Sequence, residues 1–312
     1  MNAINSILVI VDPTAQEHPA VAKGALLATR LRARLELYIC DTKASREARH
    51  LSHARREPEE AFLRDVKGFL ESLAAPLRQR GLDVTTETEC ADPLHVALID
   101  RTKRTSAGLV IKDTHHHTLA QRTFLTNTDW QLIRACPVPL LLTKPNAWTQ
   151  AAKVCAAVDP GHVNDKPALL DNRILDYASL LSKSLSGELH VLHAYLPLAI
   201  VAAAAGAHPP MATMVSPDDL AAEGHERRAQ VEKLVAEYAV KPAHIHLDVG
   251  GPAQVLPRMA AVVGADIIAM GAIARSGLKR VFIGSTAEDV LERLPCDALI
   301  VKPPDFAEVL PF

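Results

Sequence analysis

PVPLLLTKP, residues Pro137–Pro145, returns near the end of the chain as PCDALIVKP, residues Pro295–Pro303. The two align without a gap, each a short apolar run closed by Lys-Pro. Upstream the correspondence continues. DTHHHTLAQRTFLTNT (Asp113–Thr128) stands where the later copy has GAIARSGLKRVFIGST (Gly271–Thr286). SILVIVDP (Ser6–Pro13) matches KVCAAVDP (Lys153–Pro160), both ending in Val-Asp-Pro. Self-similarity at this scale means that one folding unit is written twice.

Within each copy, strand and helix patterns alternate. The first runs SILVIVDP, a helix in HPAVAKGALLATRLRA, strand RLELYICD, a charged helix near Glu57–Arg80, strand GLDVTTETE, helix PLHVALIDRTKR, strand AGLVIKD, helix TDWQLIRAC and strand PVPLLLTK. The second repeats that order with strands KVCAAVDP, ELHVLHAYLP, HIHLDVG, ADIIAMG and ALIVKPP. Its helices are ILDYASLLSKSLS, PDDLAAEGHERRAQVEKLVAEYAV, PAQVLPRMAAVVG and STAEDVLERL. Runs apolar on both faces suit parallel strands covered by helices. The fold class is therefore α/β, two tandem doubly wound domains. The polar stretch PNAWTQ (Pro145–Gln150) is the linker, which puts the domains at residues 1–147 and 151–308. An apolar fifth strand left open would template aggregation, so the two copies are expected to cover each other's.

The chain has 312 residues, a formal net charge of −2, 22% charged and 4% aromatic residues. That balance gives no basic footprint for nucleic acid and an aliphatic core. The N-terminus lacks the charged and apolar regions of a signal peptide, and LPLAIVAAAAGA (Leu196–Ala207) is too short for a membrane span. Five scattered cysteines suit reduced thiols in the cytoplasm.

Ligands of doubly wound sheets bind at the carboxyl ends of the strands. There the second copy places Asp159, the His193 region and Gly271, with Gly284 just before a helix. Ser285 or Thr286 is expected to be that helix's N-cap, and its free N–H groups make an anion site. Arg275, Lys279 and Arg280 could add positive charge. The plain alternative is that these residues only turn the chain.

The spacing G-x2-G-x9-G-[ST] between a fourth strand and the helix leading to a fifth resembles the nucleotide loop of universal stress proteins. The likeness extends over both halves and is nearest to the tandem, two-domain type E members. It implies a Rossmann-like, adenine-nucleotide α-hydrolase-like domain with a five-stranded parallel sheet of order 3-2-1-4-5. It also implies ATP, with magnesium, as the ligand of binding members. By resemblance the adenine lies near Asp159 and near Val191 or its neighbour. The phosphates lie on the loop from Met270 and Gly271 through Ala274 to Gly284, Ser285 and Thr286. Ala274 stands where the family pattern has its second glycine, which should weaken binding. In the first copy the four signature positions are Asp113, His116, Thr126 and Asn127, and an acidic residue there opposes a phosphate. The first domain is thus expected not to bind ATP, with Asp12 all that remains of its site.

Three histidines in a row, His115, His116 and His117, point in different directions and make a poor metal site. His190, His193, His244 and His246 fall on two strands. His244 and His246 would chelate zinc only if a third ligand converged, so these are read as surface or satisfied groups, with no metal expected. Cys136 and Cys296 read as buried small hydrophobes, and Trp130 as core. LPLAIVAAAAGAHPPMATMVSP (Leu196–Pro217), with Met211 and Met214, reads as a packing flap or a lid over an apolar ligand.

No nucleophile constellation is visible, and GSTAE is not G-x-S-x-G. The expected function is a non-catalytic, cytoplasmic stress-response protein that senses or carries a small ligand, with ATP in the second domain. The alternatives are a carrier of an apolar molecule and a slow ATP hydrolase. The two domains are expected to form an internal pseudo-dimer that could dimerise again.

Overall fold

A computed structural model of the chain describes residues 4–41, 57–116, 123–161, 169–198, 200–201, 216–272, 285–304 and 306. The first domain runs β1 (Ser6–Ile10), α1 (Pro19–Leu31), β2 (Arg34–Asp41), α2 (Glu57–Gln79), β3 (Val84–Cys90), α3 (Leu94–Arg104) and β4 (Leu109–Asp113). A two-stranded ribbon, β5 (His115–His116) with β6 (Thr123–Phe124), leads to α4 (Asn127–Ala135) and β7 (Leu140–Thr143).

The second domain repeats the pattern. It comprises β8 (Lys153–Ala157), α5 (Leu169–Ser184), β9 (Glu188–Tyr195), α6 (Pro217–Val235), β10 (Ile245–Val249), α7 (Pro252–Val263), β11 (Ile267–Gly271), α8 (Ser285–Arg293) and β12 (Asp297–Val301).

All the main strands join one sheet, in the order β10-β9-β8-β11-β12-β7-β4-β1-β2-β3. Each domain alone therefore has the order 3-2-1-4-5, parallel throughout. The domains meet at their fifth strands, β12 and β7, which pair antiparallel with Leu299 opposite Leu141. This pairing is how the exposed edge is removed. Because the joint is antiparallel, the carboxyl edges of the two domains lie at opposite ends of the sheet.

Side chains of the central strands alternate between two helix layers. Ile7, Val9, Leu35, Leu37, Val154, Val191, Ile267 and Leu299 point into one core, and Leu8, Val110, Cys155, Leu192, Met270 and Ile300 into the other. Cys136, Cys155 and Cys296 are free and buried in the second core. Trp130 packs half-buried against it. Among the described residues no helix is long and apolar enough to cross a membrane.

Candidate functional site

At the carboxyl edge of the second domain the strand ends are packed more closely than the sequence suggests. α5 starts at Leu169, about one turn before the helix read from ILDYASLLSKSLS. That extra turn lays Leu170 over the end of β11. A Cβ at Gly271 would sit 2.7 Å from Leu170 Cδ2 and 3.4 Å from Ile174 Cδ1. A methyl there would have to displace the Leu170 side chain, so helix–strand packing favours glycine. The same turn brings in Asp171, buried, whose Oδ1 accepts the Asp159 N–H at 3.1 Å.

Val191 has no exposed surface and belongs to the core. Its neighbour two residues on, His193, reaches the strand's carboxyl end. His193 is 2% exposed and its Nδ1 lies 3.0 Å from the Val158 carbonyl oxygen. A carbonyl only accepts, so Nδ1 carries the proton. Burial lowers the His193 pKa, with Arg227 pushing the same way and Val158, Asp159 and Asp171 pulling upward. The ring is therefore neutral, with Nε2 buried and without a hydrogen-bond partner. Arg227 is held by Glu223 at 3.3 Å, and both Glu223 oxygens accept the Leu198 N–H at 3.2 Å. This ties α6 to the start of the apolar segment. Met270 is buried on the opposite face from Val191.

α8 opens at Ser285, so Ser285 and Thr286 lie in its first turn and Gly284 directly precedes it. This differs from the expected N-cap role of Ser285 or Thr286. Ala274, Gly284, Arg275, Lys279, Arg280, His117, Met211 and Met214 lie outside the described residues, as do the side chains of His115, His116, Ser285 and Thr286.

In the first domain the equivalent place is filled by the chain's own side chains. Asp12 is turned onto Thr14, accepting its N–H at 2.8 Å and its hydroxyl at 2.7 Å. Asp113, at the position of Gly271, uses Oδ1 to accept the Ala20 N–H and the Thr143 hydroxyl, each at 2.7 Å. Its pKa is raised, chiefly by burial.

α4 begins with a capping box. Thr126 accepts from Asp129 N, and Asp129 Oδ2 accepts the Thr126 N–H at 2.7 Å and its hydroxyl at 2.8 Å. Asp129 is fully buried, and its Oδ1 lies 2.8 Å from Lys112 Nζ. A carboxylate of the chain thus holds the helix N-terminus and a lysine, the partners that a bound phosphate would otherwise take.

Sequence reading passed over Asp129, Lys112 and Asp171 as parts of these sites, and had placed the His193 region at the strand ends. The signal for Asp129 was present in Thr126-Asn-Thr-Asp129, the spelling of a capping box. Lys112 and Asp171 reach their partners only through the folded sheet.

Comparison with known proteins agrees with this organisation. The model of the universal stress protein family matches residues 3–144 and again 153–302. Universal stress protein E of Photorhabdus laumondii is 26% identical over 316 aligned residues, covering 96% of each chain. That of Escherichia coli is 24% identical, covering 98% of this chain and 96% of its own. A crystal structure of a functionally unknown protein from Pseudomonas aeruginosa is 28% identical, with a TM-score of 0.75, covering 98% of this chain and 95% of the other.

Proposed function

The chain belongs to the universal stress protein family, and we propose that it is a non-catalytic ligand-binding protein of the stress response whose second domain takes an adenine nucleotide. One internal contrast carries this reading. α4 has Thr126 and Asp129 to occupy its opening N–H groups. α8, equivalent in length and place, has Gly284 and Ala287 at those positions. Neither residue has a side-chain acceptor, so these positions leave the helix terminus open to an anion.

Asp113, which closes the first site, is replaced by Gly271. Asp159 at the end of β8 is the group that the family resemblance assigns to the adenine. His193, neutral and with an unpartnered Nε2, is a second polar group for the same ring. Magnesium would accompany the phosphates rather than occupy a cage of protein carboxylates.

Calorimetric titration with ATP, with and without Mg²⁺, tests this. One site per chain is expected, lost in Asp159→Ala and retained in Asp12→Ala. No heat at millimolar ATP from folded protein would overturn it. Phosphate release above background, lost in Asp159→Ala, would overturn the non-catalytic part.

A second reading has its own observation. Leu196, Leu198, Ile200 and Val201 are all more than 40% exposed at the start of the apolar segment. Such a patch suits an apolar cargo. Native mass spectrometry of freshly purified protein tests it, and a spectrum of bare chain counts against it.

A further inference from the structure

We infer that the outer edges of the ten-stranded sheet, β3 and β10, are surfaces on which a second copy of this chain would pair, and that Arg78 with Glu87 on one and Arg228 with Asp248 on the other hold them closed. Nothing in this depends on the nucleotide reading.

The antiparallel seam covers the fifth strands, but it leaves one sheet with an outer strand at each end. In a parallel ladder, alternate residues turn their N–H and carbonyl to opposite sides. The Leu35 N–H donates to the Asp83 carbonyl, so Thr85 and Glu87 face β2 while Val84, Thr86 and Thr88 face outward. The Gly250 N–H donates to the Tyr195 carbonyl, so His246 and Asp248 face β9 while Ile245, Leu247 and Val249 face outward. Outward rows of this kind are templates for another strand.

The same two groups are taken on both strands. On β3, Arg78 Nε donates to the Val84 carbonyl at 2.8 Å, and the Thr88 N–H donates to Glu87 Oε1 at 3.1 Å. On β10, Arg228 Nη1 donates to the Ile245 carbonyl at 3.4 Å and Nη2 to the Pro242 carbonyl at 2.9 Å. The Val249 N–H donates to Asp248 Oδ1 at 2.8 Å. Between the covered carbonyl and the covered N–H stands one outward residue, Thr86 or Leu247, too little for a ladder.

The covering groups are braced from the helices. Glu71 of α2 accepts from Arg78 Nη2 at 3.3 Å and also takes the Thr86 hydroxyl, and Glu232 of α6 accepts from Arg228 Nε at 2.9 Å. Arg101 of α3 lies 3.6 Å from Glu87, and Arg258 of α7 donates to Asp248 Oδ2 at 2.6 Å. A strand arriving at either edge would have to strip a guanidinium and a carboxylate of these bonds, which costs more than the pairing of a single residue returns.

Duplication alone does not account for the match. Arg78 lies six residues before Val84, whereas Arg228 lies seventeen before Ile245. Arginines from non-equivalent positions reach the same carbonyl, so the carbonyl is what has to be covered. A second copy is the partner these edges fit. The covered carbonyl and N–H are four residues apart on each strand, so each edge offers the same spacing to its own copy and to the other edge.

The test is sedimentation of the full chain over a concentration series. Arg78→Met with Glu87→Thr opens β3, and Arg228→Met with Asp248→Thr opens β10. One open edge can pair only with its own copy about a two-fold axis, so the mass should rise about twofold over the parent's and stop. Opening both edges should give assemblies that keep growing with concentration. Arg80→Met removes the same charge beside β3 from a side chain that bonds no β3 carbonyl among the described residues, and should sediment as the parent does. If an arginine variant fails to fold, Glu87→Thr and Asp248→Thr alone, at exposed carboxylates, should shift association in the same direction. The proposal is overturned if the opened variants sediment as the parent at every concentration, if a single open edge gives assemblies of unlimited size, or if Arg80→Met associates as they do.

Discussion

Lys23 in the first helix and Asp297 at the head of the last strand form an ion pair at 2.7 Å, with side chains 6% and 3% exposed. The pair joins the two domains and organises the link between them. Lys23 Nζ also donates to the Lys144 carbonyl oxygen at 2.8 Å. Asp297 Oδ1 accepts the Lys144 N–H, and Oδ2 the Trp148 indole N–H, each at 2.8 Å. Removing the carboxylate leaves three donors short of an acceptor, one of them a buried ammonium. Asp297→Ala should destabilise the chain by about 3–5 kcal/mol, and Asp297→Asn by less. Denaturant midpoints at constant m-value check this, and an unchanged midpoint in Asp297→Ala would remove the pair from any structural role.

Lys302, the counterpart of Lys144, is buried with no acid paired to it among the described residues. Its Nζ lies 4.6 Å from the Phe306 ring centre and 3.4 Å from the Ala272 carbonyl oxygen. Burial pulls its pKa from 10.5 to about 7. The folded amine holds its proton less tightly than the unfolded one. Its stabilising contribution is therefore complete above pH 10.5 and is lost as the pH falls toward 7. The slope is at most about 1.4 kcal/mol per pH unit. Lys302→Met should abolish that slope and raise stability at neutral pH by about 1–4 kcal/mol. Unfolding curves between neutral and alkaline pH decide, and an identical slope in the variant would refute the assignment.

Gly187 turns the chain into β9 against the backbone of Ala152. A Cβ there would stand 1.9 Å from the Ala152 carbonyl oxygen, a contact only backbone movement can relieve. Gly187→Ala should cost about 3 kcal/mol. Gly264, with φ +68° and open space around its Cβ position, isolates the conformational part. Gly264→Ala should cost about 1–2 kcal/mol. Equal losses in thermal unfolding would mean that the close approach at Gly187 is not felt.

Ala287 is the position in α8 that Asp129 fills in α4. Ala287→Asp would build the first domain's resident carboxylate into the second. The helix should gain a few tenths of a kcal/mol from the dipole. ATP affinity should fall at least about tenfold, because a fixed negative charge would compete with the phosphates. Calorimetry on the variant checks both the site and its location; undiminished affinity would place the phosphates elsewhere.

Much of this architecture could be read from the chain. The paired Val-Asp-Pro strands and the matched apolar endings gave the duplication and the alternation of elements, because buried parallel strands leave long apolar runs. The site was less legible. Val191 looks like a pocket residue only until the strand is seen covered on both faces. The first turn of α5, which brings Leu170 onto Gly271 and Asp171 onto Asp159, lies upstream of the clearest helical periodicity. Which carbonyls of β3 and β10 face outward depends on how these strands meet β2 and β9, and strand register is a property of the assembled sheet. The capping box at Thr126 was spelled out, but its lysine partner came from another strand.

The antiparallel seam between β7 and β12 has a consequence for how the protein behaves on dilution. Two separate single-domain chains joined at that seam would part as their concentration fell. Here one covalent chain supplies both strands, at an effective concentration on the order of millimolar. The pairing therefore persists at any abundance in the cell. Copy number and assembly are uncoupled, and the two halves stay in a fixed one-to-one ratio. On the proposed reading, that permanence lets one half go without a ligand while still serving as the other's structural partner.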